Sequence, residues 1–240
     1  MNTTVHEEKN WKMIYRLGAF AAYGAVLVGI LEIAITYLPG GDAPHETILD
    51  WFNLFHDNWF MGLRNMGLLN IFLNVFAVLT YFALYAAHRK DPNKPFAFLS
   101  MIVSYIGVGV FFATNRAFPL WSLSQQYAAA GTESQRAVLE AAGLALLAVG
   151  GSHTPGTFLA FFIVELAGLM ISVVMLKSNL FGKPAAYAGI LGFGALLVFE
   201  FNSSFAAGLT SANMLLAMVG GIASMVWYIL IARKLSEFGR

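Results

Sequence analysis

Long apolar runs alternate with short polar segments along this chain of 240 residues. Six of the runs reach about 20 residues, which is the length that an α-helix needs to cross a bilayer. They lie at about 13–38, 59–87, 96–116, 156–177, 185–206 and 212–232. We therefore predict an all-α fold, an integral membrane bundle of six transmembrane helices that forms a single membrane domain over residues 1–240.

Two shorter segments predict helices that do not cross the membrane. The segment at about 45–57 has one apolar helix face and a largely polar opposite face; the apolar set is Ile48, Trp51, Phe52 and Phe55. The segment at about 132–150 begins with a capping-box pattern, Thr132 to Gln135, and its apolar part is too short for a span. We expect both to be interfacial or re-entrant helices on the outer side of the membrane.

The lysines and arginines predict the orientation of the six spans. With six spans, 11 of the 14 basic residues share the side of the termini, and Arg64, Arg116 and Arg136 lie on the other side. A seventh span at about 120–150 would leave 6 inside and 7 outside, with Arg136 in the membrane. Because loops rich in Lys and Arg stay in the cytoplasm, we predict six spans with cytoplasmic N- and C-termini.

Composition agrees with a membrane protein and removes several classes of function. Hydrophobic residues make up 58% of the chain and charged residues 11%, whereas soluble domains carry about 25% charged residues. The net charge of +1 provides no basic face for phosphate, so we predict no nucleic-acid partner. The chain has no Cys, which excludes disulfides, thiolate metal sites and cysteine nucleophiles.

A glutamate stands deep in the apolar run from Ile190 to Gly208. An isolated charge in hydrocarbon is costly, so Glu200 needs a partner or a wet cavity. Other polar residues fall at similar depth in the outer half of the predicted spans. We predict an outward-facing polar pocket that binds a small molecule or a lipid-like amphiphile. Its predicted ligand-binding residues are Glu32, Arg64, Asn65, Asn70, Asn115, Arg116, Glu165, Glu200, Asn202 and Ser203.

Within that cluster, Arg64 and Arg116 lie at the height where they can pair with Glu32 or Glu200. Glu165 lies near the midplane, and aromatic walls are expected from Phe112, Phe161, Phe199 and Phe201. A purely structural interpretation stays open, because ion pairs and amides also hold membrane helices together.

Motifs for chemistry are weak in this chain. No HxxxH, ExxH or HExxH spacing is present, so we predict no metal site, although His153 with Glu165 and Glu200 is a conceivable ligand group. No His lies well inside a span to bind haem, and no GxSxG elbow is present. The cofactor is unknown, and acid–base catalysis by the buried carboxylates stays open.

Two stretches carry a family resemblance: GLRNMGLLNIF at 62–72 and VFEFNSSF at 198–205. With the length and the six spans, they resemble a bacterial family of multi-pass membrane proteins that is defined only as a domain of unknown function. The resemblance covers nearly the whole chain and implies a multi-pass protein of the bacterial inner (cytoplasmic) membrane. It transfers no catalytic motif.

Three classes of function remain for a protein of this kind. The first is a ligand- or lipid-binding protein with a sensor or accessory role, which the polar cluster favours. The second is a small transporter or channel, which is disfavoured because the cytoplasmic half of the predicted spans is nearly uncharged. The third is a membrane-embedded enzyme that uses buried carboxylates. The expected partners are membrane lipids and a small-molecule or amphiphilic ligand, and a homo-oligomer or a partner membrane protein is compatible with the sequence.

Overall fold

The computed structural model describes residues 2–36, 47–206, 208 and 210–240, and the side chains of all of these except residues 2–7 and 36. These residues form α-helices and no strand. Six of the helices are long and apolar enough to cross a membrane: α1 (Asn2–Thr36), α4 (Leu68–His88), α5 (Lys94–Thr114), α8 (Phe158–Ser178), α9 (Lys183–Phe205) and α10 (Thr210–Phe238). The predicted helical, multi-pass membrane protein is confirmed at this level.

The six long helices form a closed ring. Each packs against two neighbours in the order α1, α4, α5, α8, α9 and α10, and α10 closes the ring against α1. Glycines allow the backbones to approach closely, since a Cβ atom at Gly192 would lie 2.7 Å from the backbone nitrogen of Ser224 on α10. Membrane helices associate through such small residues because lipid removes the hydrophobic drive between them.

Both termini lie at the same end of the ring. Nε of Arg16 donates to the carbonyl oxygen of Gly239 at 2.8 Å, and Nζ of Lys12 donates to the carbonyl oxygen of Arg240 at 3.2 Å. The α4–α5 and α8–α9 connections lie at this end as well, and we call it the basic end. This arrangement agrees with an even number of spans.

Four shorter helices cover the opposite end of the ring and contact one another: α2 (Ile48–Asp57), α3 (Trp59–Asn65), α6 (Ala117–Ala129) and α7 (Glu133–Leu147). We call this group the cap and its side of the ring the cap end. The cap has its own apolar core, separate from that of the ring, formed by Ile48, Phe52, Phe55, Leu63, Ala117 and Leu120.

The two predicted short helices are present as α2 and α7. A complete capping box between Thr47 and Asp50 starts α2, and Oγ1 of Thr132 accepts from the backbone N–H of Gln135 to start α7. The apolar face of α2 packs inside the cap against α6 and α7, whereas an interfacial helix would turn it towards lipid. Positions 45–46, like 37–38 at the end of the first predicted span, lie outside the described residues.

The second predicted span, 59–87, is in fact two helices. Gly67 has φ 92° and its N–H donates to the carbonyl oxygen of Arg64 at 2.9 Å, which ends α3 before α4 begins at Leu68. A side chain would strain this left-handed conformation, so glycine permits the break. The sequence did not indicate this break, because glycine is also frequent inside membrane helices and the residues on both sides of Gly67 are apolar.

Helix α6 was not predicted. The third span ends at Thr114, not at 116, and the side-chain oxygen of Asn115 accepts from the N–H of Ala117 at 3.1 Å where α6 starts. Its pattern of apolar residues is weak because only part of one face is buried, at Ala117, Leu120 and Ser124.

Candidate functional site

A cavity of about 200 Å³ lies inside the ring. Helices α1, α4, α8, α9 and α10 all contribute to its walls, which are mainly apolar and include Ala25, Leu73, Phe161, Val164, Phe193 and Leu196. The polar side chains that line it are Asn70, Asn74, Glu165, Ser224 and Tyr228. Apolar walls with a few polar groups are typical of a small-molecule site.

Two oxygen acceptors of this cavity have no hydrogen-bond partner among the described residues. Glu165 is 7% exposed, and its Oε2 atom is unpartnered. Oδ1 of Asn74 is unpartnered as well, while its Nδ2 donates to the carbonyl oxygen of Asn70 at 2.9 Å. A buried polar atom without a partner costs free energy, and such atoms in native proteins call for an explanation. A ligand in the cavity therefore has two unpartnered acceptors available to its donor groups.

The position of Glu165 follows from small residues on the same face of α8. A Cβ atom at Gly168 would lie 2.4 Å from the ring of Phe193, so the glycine lets this ring pack directly beside the glutamate's helix. The hydroxyl of Ser172 is used internally, donating to the carbonyl oxygen of Gly168 at 2.7 Å. Phe193 in turn packs edge-on against Trp227 at a centroid distance of 5.0 Å, which closes the cavity towards the basic end.

Two further spaces lie between the cavity and the cap end. A narrow one of about 30 Å³ shares Asn70 and Phe161 with the cavity. A wider one of about 300 Å³ shares Met66 and Arg116 with the narrow one. Because neighbouring spaces share lining residues, they form one series from the cap end to Glu165. We call the two outer spaces the entrance.

The entrance contains several of the predicted residues. Arg116 lines both of its spaces, and its Nη1 atom donates to the carbonyl oxygen of Leu146 at 3.0 Å. Asn115 lines the narrow space and Asn65 the wide one. Asn70 and Glu165 line the cavity itself, so half of the predicted residues lie along this row of adjacent spaces.

Arg64 and Glu32 form one of the ion pairs that their depth allowed. Nη2 of Arg64 lies 3.3 Å from Oε1 of Glu32 and also donates to the carbonyl oxygen of that residue. Nη1 donates to the side chain of Asn65 at 3.0 Å. Arg64 is 5% exposed. The pair therefore ties α3 to α1 and holds the cap in place on the ring.

Glu200 pairs with a histidine and not with the predicted arginine. It is fully buried, and its Oε2 atom lies 2.5 Å from Nδ1 of His153. Ser203 donates to the carbonyl oxygen of His153 at 3.0 Å, and the imidazole lies 4.4 Å from the ring of Phe161. These contacts fasten the α7–α8 connection to α9. The backbone nitrogen of Ala206 donates to the carbonyl oxygen of Asn202, which places Asn202 at the helix end.

Of the aromatic walls that were predicted, Phe161 lines both the cavity and the narrow entrance space. Phe199 contacts the imidazole of His153 at a centroid distance of 4.9 Å. Phe112 and Phe201 are 43% and 56% exposed, so they face away from the ring's interior. Residues that the sequence did not single out for the site are Asn74 of α4 and Ser224 and Tyr228 of α10.

The residue types and their spacing along the sequence do not indicate a particular reaction for the cavity. Among the described residues, no three His, Asp or Glu side chains converge in a group that could hold a metal ion. The strongest chemical feature is thus the unpartnered carboxylate of Glu165 in an apolar cavity. Comparisons of the chain with protein-family models, with curated proteins and with solved structures found no match, so this geometry carries the functional argument.

Proposed function

We propose that this protein binds a small, mainly apolar molecule with one cationic or hydrogen-bond-donating group in the cavity of the helix ring. The observation that carries the proposal is Glu165, a buried carboxylate whose Oε2 atom has no partner among the described residues. A donor at this position would form a charge-assisted hydrogen bond, which is roughly twice as strong as a neutral one. Asn74 supplies a second acceptor.

The volume of the cavity limits the size of the ligand. An engineered protein cavity of about 150 Å³ accommodates benzene, and the cavity here measures about 200 Å³. The expected ligand is therefore one substituted ring or a short branched chain. An amphiphile with a longer tail would have to extend into the entrance beside Asn70 and Phe161.

The tight packing between the cavity and the basic end favours a ligand-binding role over a transport role. Trp227 and Leu84 are 0% exposed and Tyr81 is 2% exposed, and together they fill the ring between the cavity and the basic end. A transporter would have to open this packed region, whereas a sensor or accessory protein would not.

We further propose that the cap faces the outside of a bacterial inner membrane. The positive-inside rule supports this orientation because 11 of 14 basic residues lie at the basic end. Reporter fusions after residues 91, 180 and 240 should then report the cytoplasm, and a fusion after residue 130 the periplasm. A periplasmic signal at residue 240 would contradict the even number of spans, and a uniform inversion of all four would place the cap inside.

Binding to the cavity can be tested with three probes of matched size: benzylamine, benzyl alcohol and benzoate. We expect benzylamine to raise the melting temperature of the purified protein most, benzyl alcohol less and benzoate not at all, because the unpartnered oxygens of Glu165 and Asn74 require a donor, which benzoate lacks. Glu165→Gln should weaken benzylamine binding about tenfold, since a hydrogen bond to a charged group contributes about 1.5–3 kcal/mol.

The matched control is Glu237→Gln, which neutralises a carboxylate at the basic end that pairs with Lys234. It should leave the benzylamine affinity unchanged. If benzoate binds as well as benzylamine, or if both variants weaken binding equally, the carboxylate of Glu165 does not recognise the ligand and the proposal fails.

A further inference from the structure

A second site lies on the ring at the basic end, away from the cavity. It is a groove of about 300 Å³ between the start of α5 and the end of α8. Its walls are almost entirely apolar and include Phe96, Leu169 and Val173. Phe96 is 58% exposed and Val173 39% exposed. In a membrane-spanning helix, such side chains contact lipid.

One end of this groove carries positive charge. Lys177 stands in the last turn of α8, with its Nζ atom 5.9 Å from the centroid of the Phe96 ring. Lys94, also exposed, begins α5 next to Asn93, another lining residue. Asp91, two residues before Asn93, accepts from the backbone and side-chain nitrogens of Asn93 at 2.7 and 2.9 Å. The carboxylate of Asp91 is thus held by Asn93, whereas Lys177 lines the groove.

We propose that this groove binds one anionic phospholipid of the leaflet at the basic end. The phosphate would meet Lys177, and an acyl chain would lie along Phe96, Leu169 and Val173. The basic end of the groove matches the negative headgroup of such a lipid, and the apolar remainder matches its acyl chain. Basic pockets between membrane helices are known to bind anionic headgroups. This proposal is independent of the ligand proposed for the cavity.

Native mass spectrometry on the full-length protein tests the groove, using an equimolar mixture of phosphatidylglycerol and phosphatidylcholine. We expect the wild type to retain phosphatidylglycerol in preference. Lys177→Gln should lower its retention about fivefold, since one basic residue near an anionic surface contributes about 1 kcal/mol. Lys177→Arg, which keeps the charge, should restore most of the retention.

Two further variants separate this site from general electrostatic attraction. Lys183→Gln removes an equal charge at the same end, at the start of α9, and should leave retention unchanged. Val173→Trp keeps every charge but fills the groove, so retention should fall. The proposal is overturned if Lys177→Gln and Lys183→Gln have equal effects, or if Val173→Trp retains phosphatidylglycerol as the wild type does. Equal retention of the two lipids by the wild type would overturn it as well.

Discussion

Gly192→Ala is expected to lower the free energy of unfolding by about 1–3 kcal/mol, the range for overpacking a close-packed interior. The added Cβ atom would lie 2.7 Å from the backbone nitrogen of Ser224 and 3.1 Å from the carbonyl carbon of Ala223. These are backbone atoms of α10, so no side-chain rotation can relieve the contact, and α9 and α10 must separate. Thermal melting of the detergent-purified protein measures the loss.

Gly194→Ala is the matched control on the same helix. A Cβ atom at Gly194 meets nothing within 4 Å. Alanine also favours a helix over glycine by about 1 kcal/mol. The control should therefore melt at or above the wild-type temperature. If the two variants lose the same amount of stability, the close approach of α9 to α10 at Gly192 is not the cause of the loss.

Because Ser224 lines the cavity as well, Gly192→Ala should also disturb ligand binding. A separation of α9 from α10 would move Ser224 away from Glu165. Benzylamine should then stabilise this variant less than it stabilises Gly194→Ala. Stability and binding would change together at this helix contact.

Of the two buried glutamates, only Glu200 should stabilise the fold when each is tested by replacement with leucine. Glu200→Leu is expected to lower the free energy of unfolding by about 2 kcal/mol, within the range for hydrogen bonds to charged groups. It removes the partner of His153, whose side chain is one-third exposed, and the acceptor for Ser204. Glu165→Leu removes a carboxylate oxygen that has no partner, so it should leave stability unchanged or raise it.

A double-mutant cycle with His153→Ala assigns the effect of Glu200→Leu to the pair. If the two residues act through each other, the double variant should lose clearly less than the sum of the two single losses. Additive losses would mean that Glu200 stabilises the ring without His153. A larger loss for Glu165→Leu than for Glu200→Leu would show that Glu165 is partnered in the folded protein.

The six helices of membrane-spanning length could be predicted from the chain alone because their signals are local. An apolar run of about 20 residues predicts a span wherever it occurs. Thr132 and Gln135 predicted the start of α7 in the same way, since a cap involves residues one turn apart. Depth along a helix also placed Arg64 and Arg116 at the height of Glu32 and Glu200, because each residue's height follows from its distance to the helix end, but it left open which of them pair.

Tertiary structure decided the partners of the remaining polar groups. Glu200 meets His153 because the α7–α8 connection folds back onto α9, with His153 at φ 60°, and no periodic pattern encodes such a loop. The break at Gly67 likewise depends on the cap that α3 joins. The cavity exists only because five helices of a closed ring turn their faces inwards together, which leaves Glu165 beside empty space. The sequence by itself determined which segments are long and apolar enough to span a membrane and how high each residue stands along its helix, since hydropathy and helical rise are properties of each segment. Only the packed ring determined which of them face one another, since that depends on the rotation of every helix about its own axis.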